Sequence, residues 1–85
     1  MSQNYPNPFN PTTTIYYSIS NTSTSNVTLQ VYNLLGEMVT EIINEVKAQG
    51  NYSVEFNAGQ LPTGLYLYKI QASDFSSVKK MMLVK

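Results

Sequence analysis

Thr13-Thr14-Ile15-Tyr16-Tyr17-Ser18-Ile19 alternates without a break: Ile15, Tyr17 and Ile19 fall on one face, Thr14, Tyr16 and Ser18 on the other. A period of two is the mark of a half-buried β-strand. The segment before it, Asn4-Tyr5-Pro6-Asn7-Pro8-Phe9-Asn10-Pro11, holds three of the four prolines. Proline fixes φ and lacks a backbone donor, so residues 1–11 read as an extended lead-in and not as a ladder strand. Downstream, Asn21 to Asn26 is a polar turn whose side chains compete for backbone hydrogen bonds.

The same period recurs. Val27 to Tyr32 points Val27, Leu29 and Val31 inward, and Asn33-Leu34-Leu35-Gly36 is a tight hairpin connection with Gly36 free to take positive φ. Glu37 to Ile43 could be helix or strand. A helix would stack Glu37, Glu41 and Glu45 on one stripe, and the intervening residues are β-rich, so the spacing predicts a strand. Val46 to Gly50 is a loop. Tyr52, Val54 and Phe56 alternate in a fourth strand, Leu65 to Ala72 forms a fifth, Ser73 to Ser77 a hairpin loop, and Val78 to Val84 the closing strand. Short strands separated by polar turns indicate an all-β antiparallel sandwich over residues 12–85. Its core is expected from Ile15, Tyr17, Leu29, Val31, Tyr52, Val54, Phe56, Tyr66, Tyr68 and Ile70.

Composition agrees. Val, Ile, Thr, Tyr and Phe make up 30 of the 85 residues, whereas alanine occurs three times and arginine never. The length allows one domain, and a domain this small buries only about 60–65% of its unfolded surface. The chain has no histidine and no cysteine, which rules out disulfides, thiolate zinc sites and triad catalysis within it, and no metal or cofactor is expected. Five lysines balance five acids, a poor basis for nucleic-acid binding. No apolar run reaches the ~20 residues that span a bilayer, and no signal peptide is visible at the start.

Several groups could carry function. Leu61-Pro62-Thr63-Gly64-Leu65-Tyr66 places a tyrosine where immunoglobulin-like sandwiches send a hydroxyl back to the preceding loop, so Leu61, Pro62, Gly64 and Tyr66 read as a structural tyrosine corner. Glu37 and Glu41 on one strand face could in principle serve glycoside hydrolysis, but that chemistry needs a cleft and a raised pKa, and solvated charges are the simpler reading. Tyr16 and Tyr32 on an outer face could stack on sugar, the alternative of a carbohydrate-binding or adhesion module. Three Asn-X-Ser/Thr patterns occur, about the number composition gives by chance. On the last strand either Val78, Met82 and Val84 or Met81 and Leu83 face inward. The first set buries more apolar side chains and is preferred, leaving Lys79, Lys80, Met81, Leu83 and Lys85 as a candidate docking stripe. Lysines there would also guard a sheet edge.

The wording of four blocks goes further. Gln3-Asn4-Tyr5-Pro6-Asn7-Pro8-Phe9-Asn10-Pro11 with Thr12-Thr13-Thr14-Ile15, then Val31-Tyr32-Asn33-Leu34-Leu35-Gly36-Glu37, then Leu61 to Tyr66, then Lys79-Lys80-Met81-Met82-Leu83-Val84-Lys85 stand in order. Together they resemble type A C-terminal sorting domains of the type IX secretion system. Asn33 departs from the family's commoner Asp, which weakens any cation-binding idea at that turn. The resemblance implies an immunoglobulin-like antiparallel β-sandwich of about seven strands and a non-catalytic module at the end of a larger exported protein. It also implies passage through the periplasm and recognition by an outer-membrane translocon. A sortase-like peptidase would then remove the domain at the cell surface. A chain ending at Lys85, straight after its closing strand, favours this reading over a plain structural spacer.

Overall fold

The alternating segments become six strands in the computed structural model, which describes residues 1, 3–20, 25–72 and 75–84. They are β1 (Thr12–Ile19), β2 (Ser25–Tyr32), β3 (Met38–Lys47), β4 (Gly50–Asn57), β5 (Gly64–Ala72) and β6 (Phe75–Leu83). All neighbours are antiparallel. β1 and β4 form a two-stranded sheet, and the order β3-β2-β5-β6 forms a four-stranded one. The two sheets make a sandwich, roughly immunoglobulin-like, of six strands instead of about seven.

Two expected loops are shorter than their side chains suggested. β3 runs on through Val46 and Lys47, which pair with Asn26 and Ser25, so only residues 48 and 49 link it to β4. β6 begins at Phe75, with Ser76 and Ser77 opposite Gln71 and Ile70. Backbone pairing continues there because a ladder needs N–H and C=O groups, not apolar side chains. The expected Asn21–Asn26 turn falls largely outside the described residues, as do Ser73 and Asp74.

Between the sheets lie Ile15, Tyr17 and Ile19 of β1, Val27, Leu29 and Val31 of β2, Phe56 of β4, and Tyr66, Tyr68 and Ile70 of β5. Ile43, Ala58, Ala72, Met81, Leu83 and Phe9 complete the core. Tyr52 and Val54 are only half buried and pack against its rim. The reason is positional: β4 pairs with β1 on one side, and no strand among the described residues pairs with its other side. Two register shifts between β2 and β3 set Ile43 opposite Leu29 and Glu41 opposite Gln30, then Thr40 opposite Val31 and Met38 opposite Tyr32. Ile42 and Val39 are thereby skipped. Such bulges re-aim side chains, and both skipped residues pack against the core.

The proline-rich start belongs to this architecture. Tyr5 and Thr14 exchange backbone bonds of 3.0 and 2.9 Å, tying the segment to β1. The Phe9 N–H donates to the Met82 carbonyl at 3.0 Å, and the Val84 N–H donates to the Phe9 carbonyl at 2.9 Å, tying it to the end of β6. Prolines at 6, 8 and 11 interrupt any longer ladder. Phe9 itself is buried, 6.3 Å from the Phe56 ring.

Candidate functional site

The last strand takes its register from β5. Tyr66, Tyr68 and Ile70 point inward, and their cross-strand partners Met81, Lys79 and Ser77 share that side. Leu83 continues the same parity. Met81 and Leu83 are therefore buried at 1% and 0% exposure, while Val78 and Val84 are exposed. This overturns the register that put Val78, Met82 and Val84 inside. Counting apolar side chains on one strand misled because the neighbouring strand decides which set meets the core. A docking stripe displaying Met81 and Leu83 does not exist on this surface. Lys80 is exposed on the outer face and Lys79 is half buried, whereas Lys85 lies outside the described residues.

The free edge of β6 is occupied over its second half. The Gln3 side-chain amide donates to the Lys80 carbonyl at 2.6 Å, and the Met82 N–H donates to Asn7 Oδ1 at 2.9 Å. With the two Phe9 bonds, residues 3–9 engage alternate backbone groups from Lys80 to Val84. Asn4 anchors the segment beneath. It is 2% exposed. Its N–H donates to the Tyr68 hydroxyl at 2.8 Å, and its side-chain amide donates to Thr13 Oγ1 at 3.0 Å and to the Pro6 carbonyl at 3.1 Å. Sequence reasoning missed Gln3, Asn4, Asn7 and Phe9, whose only signal was two large aromatics, Tyr5 and Phe9, set among prolines and asparagines.

Two further turns are built from side chains. The Tyr66 hydroxyl donates to the Pro62 carbonyl at 2.6 Å. Leu61 is half buried beside it, its N–H donating to the Ala58 carbonyl, and Gly64 opens β5 opposite Leu83. In the β2–β3 hairpin, Asn33 Oδ1 accepts from the N–H groups of Leu35 and Glu37 at 2.9 and 3.0 Å, and Gly36 takes φ 86°. The Asn33 amide donates to Glu37 Oε1 at 3.0 Å. An Asp could not make that last bond.

The candidate chemistries separate. Glu37 sits in the hairpin turn, while Glu41 lies on β3 and accepts from the Gln30 amide at 2.8 Å. No cluster of three or more His, Cys, Asp or Glu suited to a metal occurs among the described residues. Tyr16 and Tyr32 lie on different sheets and cannot form one aromatic platform. Burial pushes the phenol pKa of Tyr68 and Tyr17 up; the Asn4 N–H bond opposes this for Tyr68, and the nearby Lys47 charge for Tyr17. Lys47 is held charged chiefly by its bond to Glu45, 3.1 Å away.

The fold and these blocks describe a small β-sandwich whose opening segment is pinned to its last strand. The family model of the secretion system C-terminal sorting domain matches residues 3–85. The chain belongs to that family, the C-terminal sorting signals of type IX secretion, whose members are generally non-catalytic. Membership implies export to the cell surface or exterior. No curated protein and no solved structure shows significant similarity to the chain. No helix among the described residues is long and apolar enough to cross a membrane.

Proposed function

We propose that this domain directs a larger protein through the type IX secretion system, acting as a folded signal with no chemistry of its own. The larger protein reaches the periplasm first. There the outer-membrane translocon reads the domain as a shape, and a sortase-like peptidase removes it at the surface. The observation that carries this reading is the clasp of residues 3–9 on Lys80 to Val84. It gathers the first and last sequence blocks of the family into one surface, which exists only when the domain is folded. Lys79 and Lys80 supply positive charge beside that surface. Met81 and Leu83 contribute from beneath by fixing β6, and Leu61, Pro62, Gly64 and Tyr66 contribute by fixing the start of β5.

The test fuses residues 3–85 behind a periplasmic reporter in a host with the translocon. The fusion should reach the medium or cell surface, and the reporter alone should stay behind. A folded fusion retained in the periplasm overturns the reading. Charge reversal at Lys80, alone and then with the half-buried Lys79, should lower export. For the exposed Lys80 circular dichroism should stay unchanged, since surface substitutions cost under about 0.5 kcal/mol. Export at the unaltered rate removes these lysines from the recognised surface.

A further inference from the structure

The two sides of the sandwich are closed unequally. On the β1/β6 side the lead-in crosses from Thr14 to Met82 and covers the gap. On the β4/β3 side no segment does this among the described residues. There the two edge strands face each other: Val39 and Thr40 of β3 and Phe56 and Asn57 of β4 line a cleft of about 230 Å³, closed at its end by Leu61. At the far end of the same side, Lys47 of β3 lies 4.9 Å from the centre of the Tyr52 ring of β4. Among the described residues six hydrophobics pack against the core while staying partly exposed, and five of them belong to this side: Val39, Ile42, Tyr52, Val54 and Leu61. Two of these, Val39 and Ile42, are the residues that the β3 bulges skip.

Charge is also sorted. Net charge is zero, yet Glu41 and Glu45 lie on β3, Glu55 on β4 and Glu37 directly before β3, whereas Lys69 lies on β5 and Lys79 and Lys80 on β6. Lys47 offsets Glu45, while Glu41 and Glu37 accept from the neutral amides of Gln30 and Asn33. Glu55 is exposed on the outer face of β4, beside the position an added strand would take. The open side is thus a half-buried apolar groove between two edge strands, each unpaired on this side among the described residues, with exposed glutamates on both strands.

We propose that this groove accepts an extended, basic segment of an export-machinery protein, added as a third strand on the free edge of β4. The partner strand would pair with the eight-residue β4 and turn alternate apolar side chains onto Val39, Ile42, Tyr52 and Val54. Lysine or arginine at its ends would meet the glutamates. Main-chain pairing supplies affinity, and the groove and the rim supply selectivity. The identity of the partner rests on the sorting function proposed above; the groove and its ligand chemistry do not.

Three fusions of the full 85-residue chain to a reporter test this: unaltered, Ser53→Lys on the outer face of β4, and Val54→Lys in the groove. An inward charge on an edge strand blocks strand addition. The unaltered and Ser53→Lys fusions should be exported alike, while folded Val54→Lys drops by about tenfold or more. Val39→Lys, on the opposite wall, serves if Val54→Lys does not fold. Failure of the unaltered fusion defeats the sorting function; normal export of the folded groove variants defeats the groove. In solution, an alternating valine–threonine octapeptide flanked by lysines should protect the amides of residues 50–57 from exchange, and a glutamate-flanked one should not. Protection of neither strand wall, or protection by a second copy of the chain through the same edge, overturns the proposal.

Discussion

The backbone N–H of Asn4 donates to the hydroxyl of Tyr68 at 2.8 Å, across 64 positions of sequence. Both residues are buried, at 2% and 0% exposure. The bond therefore joins the opening segment to a core tyrosine of β5, in a place where water cannot substitute for either partner.

Tyr68→Phe should destabilise the domain by about 1–3 kcal/mol, because it strands a buried donor as well as removing a bond. Urea unfolding should show a lower midpoint with an unchanged slope. A change below the scatter of the measurement would mean that the Asn4 N–H finds another acceptor.

Alkaline pH should act on the same tyrosine. Burial raises the phenol pKa of Tyr68 and Tyr17 in the folded state, so the folded protein holds these protons more tightly than the unfolded chain. Stability from this source is fully present below the ordinary phenol value of about 10 and is lost as pH rises through the folded-state values. Melting temperature should fall above about pH 10, and less steeply in Tyr68→Phe than in the unaltered domain.

Tyr66→Phe should cost about 0.5–1.5 kcal/mol, less than Tyr68→Phe. The Pro62 carbonyl that loses its donor lies in an exposed link, where water can take the hydroxyl's place. Comparing the two variants by calorimetry separates a surface bond from a buried one.

Phe9→Ala should cost about 3–5 kcal/mol, the range for truncating a buried aromatic. Phe9 is 2% exposed and touches Phe56. Amide exchange at Val84, whose N–H donates to the residue 9 carbonyl, and at Met82, whose N–H donates to the neighbouring Asn7, should accelerate more than exchange at Leu29 in the sheet centre.

Asn33→Asp should lower stability by about 0.5–1.5 kcal/mol at neutral pH, since it sets a carboxylate against Glu37 where an amide now donates. Adding Glu37→Gln should recover most of the loss by restoring a donor. Equal stability of both variants would show that the Asn33–Glu37 bond contributes nothing.

Much of the sandwich was legible because its strands announce themselves by period: Ile15, Tyr17 and Ile19, or Tyr66, Tyr68 and Ile70, can serve one core only when extended. Tyr52 and Val54 carry the same pattern but sit on an edge, and a period does not say how many neighbours a strand has. The orientation of β6 was not legible from β6. Val78, Met82 and Val84 outnumber Met81 and Leu83, yet pairing with Tyr66 and Gly64 places the smaller set inside. The two bulges that aim Val39 and Ile42 depend on pairing with β2, and Phe9 was hidden by neighbours that forbid a strand without forbidding burial.

The clasp between the opening residues and β6 has a consequence for the order of assembly. Gln3 meets Lys80 across 77 positions and Asn7 meets Met82 across 75. Contacts of such long range are late and slow to form, since the loop they close costs entropy before anything rewards it. A ribosome delivers Phe9 long before Leu83, so the aromatic ring waits, unsheltered, for almost the whole domain to be made. A nascent chain interrupted short of Leu83 has no lid for Phe9 and no ledge for Asn7. Presence of the last strand is thereby converted into shape: a domain cut short of Leu83 lacks the clasp that residues 3–9 form with it.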